Sequence, residues 1–135
     1  MNAMRVKGSM RLAVAVLAVW AAAGLAGCRR VNGPPRKDPR VAIGDPARGR
    51  ELIERYSCGS CHMVPGVDGA RGLVGPPLIH WANRRYIAGE MENTPEHLVT
   101  WLTVPQSVEP GTAMPNMGVT DGQARAMAAY LYTLK

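Results

Sequence analysis

Cys58-Gly59-Ser60-Cys61-His62 places two cysteines three positions apart, with a histidine directly after the second. A disulfide between the cysteines would leave the histidine unused, and its small loop would restrict the unfolded chain little. A structural zinc site would need a fourth ligand, and His80 and His97 have no paired spacing. A thioredoxin-like redox pair needs a βαβ context that the sequence lacks. Because C-x-x-C-H is the attachment sequence for c-type haem and uses all three side chains, we favour a haem site here.

Two helices are predicted on either side of a long loop. Asp45-Pro46 supplies a capping side chain and a proline at the first helical position, and apolar residues with helical spacing continue to Tyr56. Thr94-Pro95 repeats this start signal, and Pro105 ends the second helix. The intervening segment, residues 59–93, is longer than a small domain normally tolerates without a ligand to pack on.

A third helix is predicted at the end of the chain. Thr120 and Gln123 form a capping box before an apolar stripe that reaches Leu134. Gly49 should let the first helix approach this last helix closely, near Met127 and Tyr130. Since no segment of comparable length alternates with period two, the expected fold is all-α, with three main helices and long loops. The domain contains no phenylalanine, so a large apolar cofactor would be a sensible filling for its core.

The N-terminus, residues 1–27, has the pattern of an export signal. A basic start precedes the uncharged run LAVAVLAVWAAAGLAG, which is short for a membrane span. An uncleaved N-terminal anchor is the alternative. Leu25-Ala26-Gly27-Cys28 resembles a bacterial lipobox, which implies that Cys28 is lipidated and becomes the first residue of the mature chain. We therefore expect a lipid-anchored protein in a bacterial cell envelope, facing the periplasm or the outer surface.

The charge of the chain is unevenly distributed. The net charge is +6, yet residues 45–135 carry eight basic and nine acidic side chains. The basic excess lies in the signal and in residues 28–44, a Pro- and Arg-rich stretch without helical period that we interpret as a tether. Its positive charge would attract anionic lipid head groups. Nucleic-acid binding therefore loses its main support, and residues 45–135 form the predicted globular domain.

Residues 45–135 resemble the small monohaem class I cytochromes c. Gly75-Pro76-Pro77-Leu78 matches the G-P-x-L turn of that family, with Arg84 six residues after the leucine. The run WLTVPQSVEPGTAM, residues 101–114, keeps the family spacing of its prolines and methionine, and Ala129-Tyr130-Leu131 matches AYL in the last helix. The resemblance implies the small cytochrome c fold, wrapped around one covalently bound haem.

The resemblance also implies a set of haem-binding residues. The covalent attachment sites and the proximal iron ligand would be Cys58, Cys61 and His62. The N–H of the other ring nitrogen of His62 would donate a hydrogen bond to the carbonyl of Pro76, as the second nitrogen of a ligating histidine usually does. Met114 would be the second axial ligand, while the nearby Met117 is the competing candidate.

Contacts around the haem follow from the same resemblance. Arg84 and Thr112 would contact the haem propionates, whereas the alternative for Arg84 is an ordinary solvated arginine. Trp101 would approach the methionine sulfur, or would simply pack in the core. The family places a tryptophan near the propionates where this chain has Asn93, so this part of the site departs from the family.

These features predict an electron-transfer protein rather than an enzyme. The resemblance implies that a His/Met pair would occupy both axial positions of the iron, so the expected function is one-electron transfer. The acceptor would be a respiratory terminal oxidase or reductase, because residues 75–102 also resemble cytochrome domains fused to oxidase subunit II. The donor would be a quinol-oxidising complex or a periplasmic dehydrogenase. A fixed haem subunit of an oxidase or dehydrogenase, and a haem peroxidase or sensor with a labile sixth ligand, are the alternatives.

Overall fold

The computed structural model describes residues 38–135, and the predicted signal peptide and Cys28 lie outside this range. Within it, helices α1 to α4 span Pro46–Arg55, Pro95–Thr103, Pro105–Val108 and Asp121–Leu131. Strands β1 (Tyr86–Ile87) and β2 (Met91–Glu92) pair antiparallel between α1 and α2. None of the helices in residues 38–135 is long and apolar enough to cross a membrane.

The three predicted helices begin at the predicted capping residues. The Asp45 carboxylate accepts from the first backbone N–H groups of α1, and Thr94 does the same for α2. At α4, Thr120 and Gln123 form a reciprocal capping box. Each cap satisfies N–H groups that have no partner within the helix, which is why these starts could be predicted from the sequence.

Helices α1 and α4 pack closely against each other. A Cβ atom at Gly49 would lie 1.9 Å from the Ala126 carbonyl oxygen, so only glycine allows this approach. The predicted close approach of the two helices is thereby confirmed, and it buries Leu52 from α1 and Met127 from α4. Helix α2 also packs against α4 and contributes the fully buried Leu98.

The expectation of an all-α fold with three main helices is not confirmed. A fourth short helix, α3, begins at Pro105, because the proline that ends α2 also suits the first turn of a new helix. The β1–β2 hairpin turns through Ala88 and Gly89, both at positive φ (53° and 83°). The turn lacks the usual Asn or Asp signal, and two-residue strands are too short to show a period of two.

Residues 38–44, predicted as part of a semi-extended tether without helical period, contain a helical turn. Pro39–Ile43 forms a 3₁₀-helical turn, capped by the Asp38 carboxylate, which accepts from the Arg40 backbone N–H. The Arg40 guanidinium forms an ion pair with Asp38 at 2.7 Å and donates to the Ala82 carbonyl at 3.1 Å. It also lies over the Tyr132 ring, 4.7 Å from its centre. The arginine that was assigned to the tether therefore fastens this turn to the folded domain.

A buried polar network lies under the same region. The Asn93 side chain donates to the carbonyls of Trp81 (2.9 Å) and Arg84 (3.0 Å), and its Oδ1 accepts from the Tyr132 hydroxyl at 2.9 Å. Burial raises the pKa of Tyr132 to about 12. Asn93 thus fixes the backbone that carries Trp81 and Arg84, a role that the sequence did not indicate.

Candidate haem site

The C-x-x-C-H motif forms a tight turn directly after α1. Ser57 adopts a positive φ of 52°, and Cys58–Ser60 follows as a 3₁₀ turn, with the His62 N–H donating to the Cys58 carbonyl at 3.0 Å. Both cysteines are free thiols and half-buried. Burial raises the pKa of the Cys58 thiol above its ordinary value. The turn therefore places two unpaired thiols and an imidazole within five residues.

The His62 ring is oriented by the turn that contains Pro76. His62 Nδ1 lies 2.8 Å from the Pro76 carbonyl oxygen. A carbonyl oxygen can only accept, so Nδ1 carries the proton and donates. In the neutral imidazole this leaves the Nε2 lone pair available to a metal ion. The predicted contact between these two residues is present.

Two glycines let the following loop lie against the motif. A Cβ at Gly75 would lie 2.2 Å from His62 Cε1, and a Cβ at Gly72 would lie 2.4 Å from the Cys61 carbonyl carbon. The Gly75 N–H also donates to the Cys61 carbonyl at 2.8 Å. Backbone packed this tightly holds the imidazole in one plane, because any side chain at position 75 would displace the ring.

Arg84 binds the backbone of the same loop. Its guanidinium donates to the carbonyl of Pro77 and lies 3.5 Å from that of Ile79. The guanidinium also stacks over the Trp81 ring, 5.1 Å from its centre. Burial lowers the pKa of Arg84, and no carboxylate in residues 38–135 forms an ion pair with it. Arg84 is therefore a half-buried cation without an anionic partner in the described part of the chain.

Hydrogen bonds with two side chains hold the backbone N–H and the backbone carbonyl of Met114. Its N–H donates to the Thr112 hydroxyl at 3.3 Å, and its carbonyl accepts from the Gln106 side chain at 2.8 Å. Gly111 turns the preceding chain with a positive φ of 91°. Met114 is half-buried, whereas Met117 is 41% exposed. The role of Gln106 in fixing this loop was missed, since nothing in its sequence position suggests it.

Hydrogen bonds join the predicted site residues into two groups. The first links His62, Pro76 and the loop held by Arg84, and the second links Thr112 with Met114. Trp101 is half-buried and packs against the core. Its approach to the methionine sulfur, and the propionate contacts of Arg84 and Thr112, stay predictions.

The residues present fit a covalently attached haem. Two free thiols with the required spacing precede an imidazole whose Nε2 is available, and a thioether is offered from a fixed loop. The indole N–H of the buried Trp81 makes no hydrogen bond within residues 38–135 and is a donor available to an acidic group. Thioether bonds, two axial ligands and a hydrogen-bond donor are together what such a haem needs from a protein.

Comparison with known proteins agrees with this geometry. The family model for cytochrome c matches residues 46–135. The chain belongs to the cytochrome c family. The family resemblance predicted from the sequence is thereby confirmed, and a role in haem-based electron transfer follows for this cytochrome.

The relatives of this cytochrome include oxidase subunits. It is 37% identical over 89 residues to cytochrome c oxidase subunit 2 of Alkalihalophilus pseudofirmus. This match covers 65% of this chain and 25% of that protein. Subunit 2 of Bacillus sp. strain PS3 is 37% identical over 101 residues, covering 71% of this chain and 28% of that protein. Subunit 2 of Bacillus subtilis is 32% identical over 92 residues, and the match covers 65% of this chain and 26% of that protein. The chain thus spans about a quarter of the length of these relatives.

Proposed function

We propose that this cytochrome carries single electrons on one haem bound covalently by Cys58 and Cys61. The proximal ligand is His62 and the second axial ligand is Met114. The observation that carries the proposal is the hydrogen bond from His62 Nδ1 to Pro76, which leaves Nε2 available beside two free thiols. When bound, the haem supplies a one-electron couple, and His/Met ligation raises its potential.

The protein's own residues keep the two ligands in place. Pro76 accepts from the imidazole, and Gly75 lies directly against its ring. Thr112 and Gln106 hold the backbone of Met114. Rigid ligands change position little when an electron arrives or leaves, so the chain acts by orientation and tuning, with no covalent catalysis of its own.

The proposed electron acceptor is a respiratory terminal oxidase. Support comes from the similarity to oxidase subunits and from the loop next to the motif, where Leu73 and Val74 are 81% and 79% exposed. Exposed apolar side chains beside a redox centre suit the small, short-lived interfaces of electron-transfer partners. Electrons would come from a quinol-oxidising complex or a periplasmic dehydrogenase.

A lipid on Cys28 would keep this carrier at the membrane. The lipobox-like sequence and the basic stretch that follows it support export and anchoring, on the periplasmic or outer face of the envelope. A fixed subunit of an oxidase complex is the second candidate, because the matching relatives are themselves oxidase subunits. A fixed subunit would stay with the complex in mild detergent, whereas a tethered carrier would separate from it.

Cysteine variants test attachment and anchoring separately. Cys58→Ser combined with Cys61→Ser should abolish haem that survives denaturation, and each single variant should keep one thioether and shift the reduced pyridine haemochrome band. Cys28→Ser is the matched control, since it should retain the haem but move the protein from the membrane to the soluble fraction.

Reduced wild-type protein should be reoxidised by membranes that contain a terminal oxidase. Haem that is released from the wild-type chain by denaturation would contradict the proposal.

A further inference from the structure

Trp81 has a buried hydrogen-bond donor that lacks a partner in the part of the chain that the structure describes. The residue is 5% exposed and opens the turn Trp81–Asn83, directly after His80 at a positive φ of 50°. Its indole N–H is the single buried side-chain polar atom in residues 38–135 that makes no hydrogen bond. Buried donors in folded proteins almost always have an acceptor, so this N–H calls for one that residues 38–135 do not supply.

The side chain of Asn93, which donates to the Trp81 backbone carbonyl, is already hydrogen-bonded through its nitrogen and its oxygen. Asn93 donates to the carbonyls of Trp81 and Arg84, and its oxygen accepts from Tyr132. The amide of Asn93 therefore cannot rotate to accept from the indole without breaking three hydrogen bonds at once. Within residues 38–135 no side chain or backbone group accepts a hydrogen bond from the Trp81 indole.

Arg84 indicates the charge of that acceptor. Its guanidinium stacks on the Trp81 ring, donates to backbone carbonyls, and makes no ion pair with a carboxylate in residues 38–135. A guanidinium has five N–H donors in a fixed planar arrangement that matches a carboxylate. A half-buried cation stacked on a ring that carries an unpartnered N–H favours a carboxylate held between the two groups.

We propose that the indole N–H of Trp81 donates a hydrogen bond to a haem propionate, beside Arg84. This inference rests on the proposed function, because the carboxylate belongs to the haem. The position at which the family has a propionate-side tryptophan is Asn93 here, and that side chain is committed to the backbone and to Tyr132. In this cytochrome the donor comes from a different element, the turn after His80.

Vibrational spectroscopy of a conservative variant tests the hydrogen bond. Trp81→Phe keeps an aromatic ring under Arg84 but removes the N–H. In the resonance Raman spectrum its propionate bending band should shift to lower wavenumber, and the reduction potential should become more strongly dependent on pH. Tyr56→Phe is the matched control: it removes a part-buried hydroxyl that bonds to Gln123 at 2.9 Å, and it should leave the propionate band unchanged.

A measurement on the unmodified protein covers the case in which Trp81→Phe does not mature. In the reduced wild type, the Trp81 indole N–H should exchange slowly with solvent, and its NMR shift should follow the titration of the propionate. An attached low-spin haem with an unmoved propionate band, or an indole N–H that exchanges rapidly, would overturn this inference alone. Absence of attached haem would overturn the proposed function as well.

Discussion

His62 Nδ1 lies 2.8 Å from the carbonyl oxygen of Pro76, a residue fourteen positions further along the chain. This hydrogen bond joins the C-x-x-C-H turn to the G-P-x-L turn, and Gly75 makes the contact possible because any side chain there would meet the imidazole. The two motifs therefore act as one unit, in which the second fixes the tautomer and the plane of the ligand supplied by the first.

Gly75→Ala should disturb the ligand while leaving the helices in place. A Cβ at this position would lie 2.2 Å from His62 Cε1, so the ring or the loop must move. We expect a loss of about 1–3 kcal/mol in the free energy of unfolding and weaker low-spin absorbance. Gly122→Ala is the control, since a Cβ there meets nothing within 4 Å. Equal behaviour of the two variants in urea unfolding and optical spectra would refute the proposed clash.

Arg40→Ala should lower stability although the residue precedes α1. The change removes the ion pair with Asp38, the hydrogen bond to Ala82 and the stacking on Tyr132. A decrease of about 1–2 kcal/mol in the free energy of unfolding is expected. Arg48→Ala removes an exposed ion pair with Glu51 and should cost about 0.5 kcal/mol or less. If both variants unfold at the same urea concentration, the turn does not fasten to the domain.

Asn93→Ala should be more damaging than its polar character suggests. The variant leaves two backbone carbonyls and the Tyr132 hydroxyl without their partner in a buried region. We expect a cost of about 1–3 kcal/mol in unfolding free energy, measured with denaturant. Asn83→Ala, at an exposed site, is the control and should be nearly neutral. A neutral Asn93→Ala would show that the network contributes little.

Tyr132 should make the domain sensitive to alkali. Its pKa is raised from 10.0 to about 12 by burial, so the folded state keeps the proton at a pH where the unfolded chain has lost it. The contribution of the protonated Tyr132 hydroxyl to the free energy of unfolding is complete below pH 10 and is lost as the pH rises through about 12. Unfolding free energies of wild type and Tyr132→Phe, measured between about pH 9 and about pH 12, should converge with increasing pH. A constant difference between them would argue against the raised pKa.

The sequence predicted the parts of the fold that depend on local chemistry. Caps such as Asp45-Pro46 and Thr120-x-x-Gln123 act within one turn of chain, so their signals can be read directly. Asp38-Pro39 carries the same kind of start signal, but the surrounding prolines and arginines led us to place it in the tether. The Asp38-Pro39 pair therefore predicted the helical turn at Pro39–Ile43 better than the composition of the segment did.

The parts that were missed depend on contacts between distant residues. Arg40 reaches Ala82, and Asn93 reaches Tyr132, across separations that no periodicity or motif encodes. Gln106 likewise supports Met114 through a side-chain contact with the backbone. These contacts fix the backbone around the candidate site. The motifs that would bind haem could be recognised from their spacing.

The identity of the axial ligands is tested most directly by optical spectra during a redox titration. Mature protein from a haem-attaching host should show, when oxidised, the charge-transfer band from methionine sulfur to ferric iron. The band should disappear in Met114→Ala and persist in Met117→Ala, because Thr112 and Gln106 hold the backbone of Met114 whereas Met117 is 41% exposed. A wild type that lacks the band and binds carbon monoxide readily when reduced would contradict the closed His/Met site and favour a sensor or peroxidase.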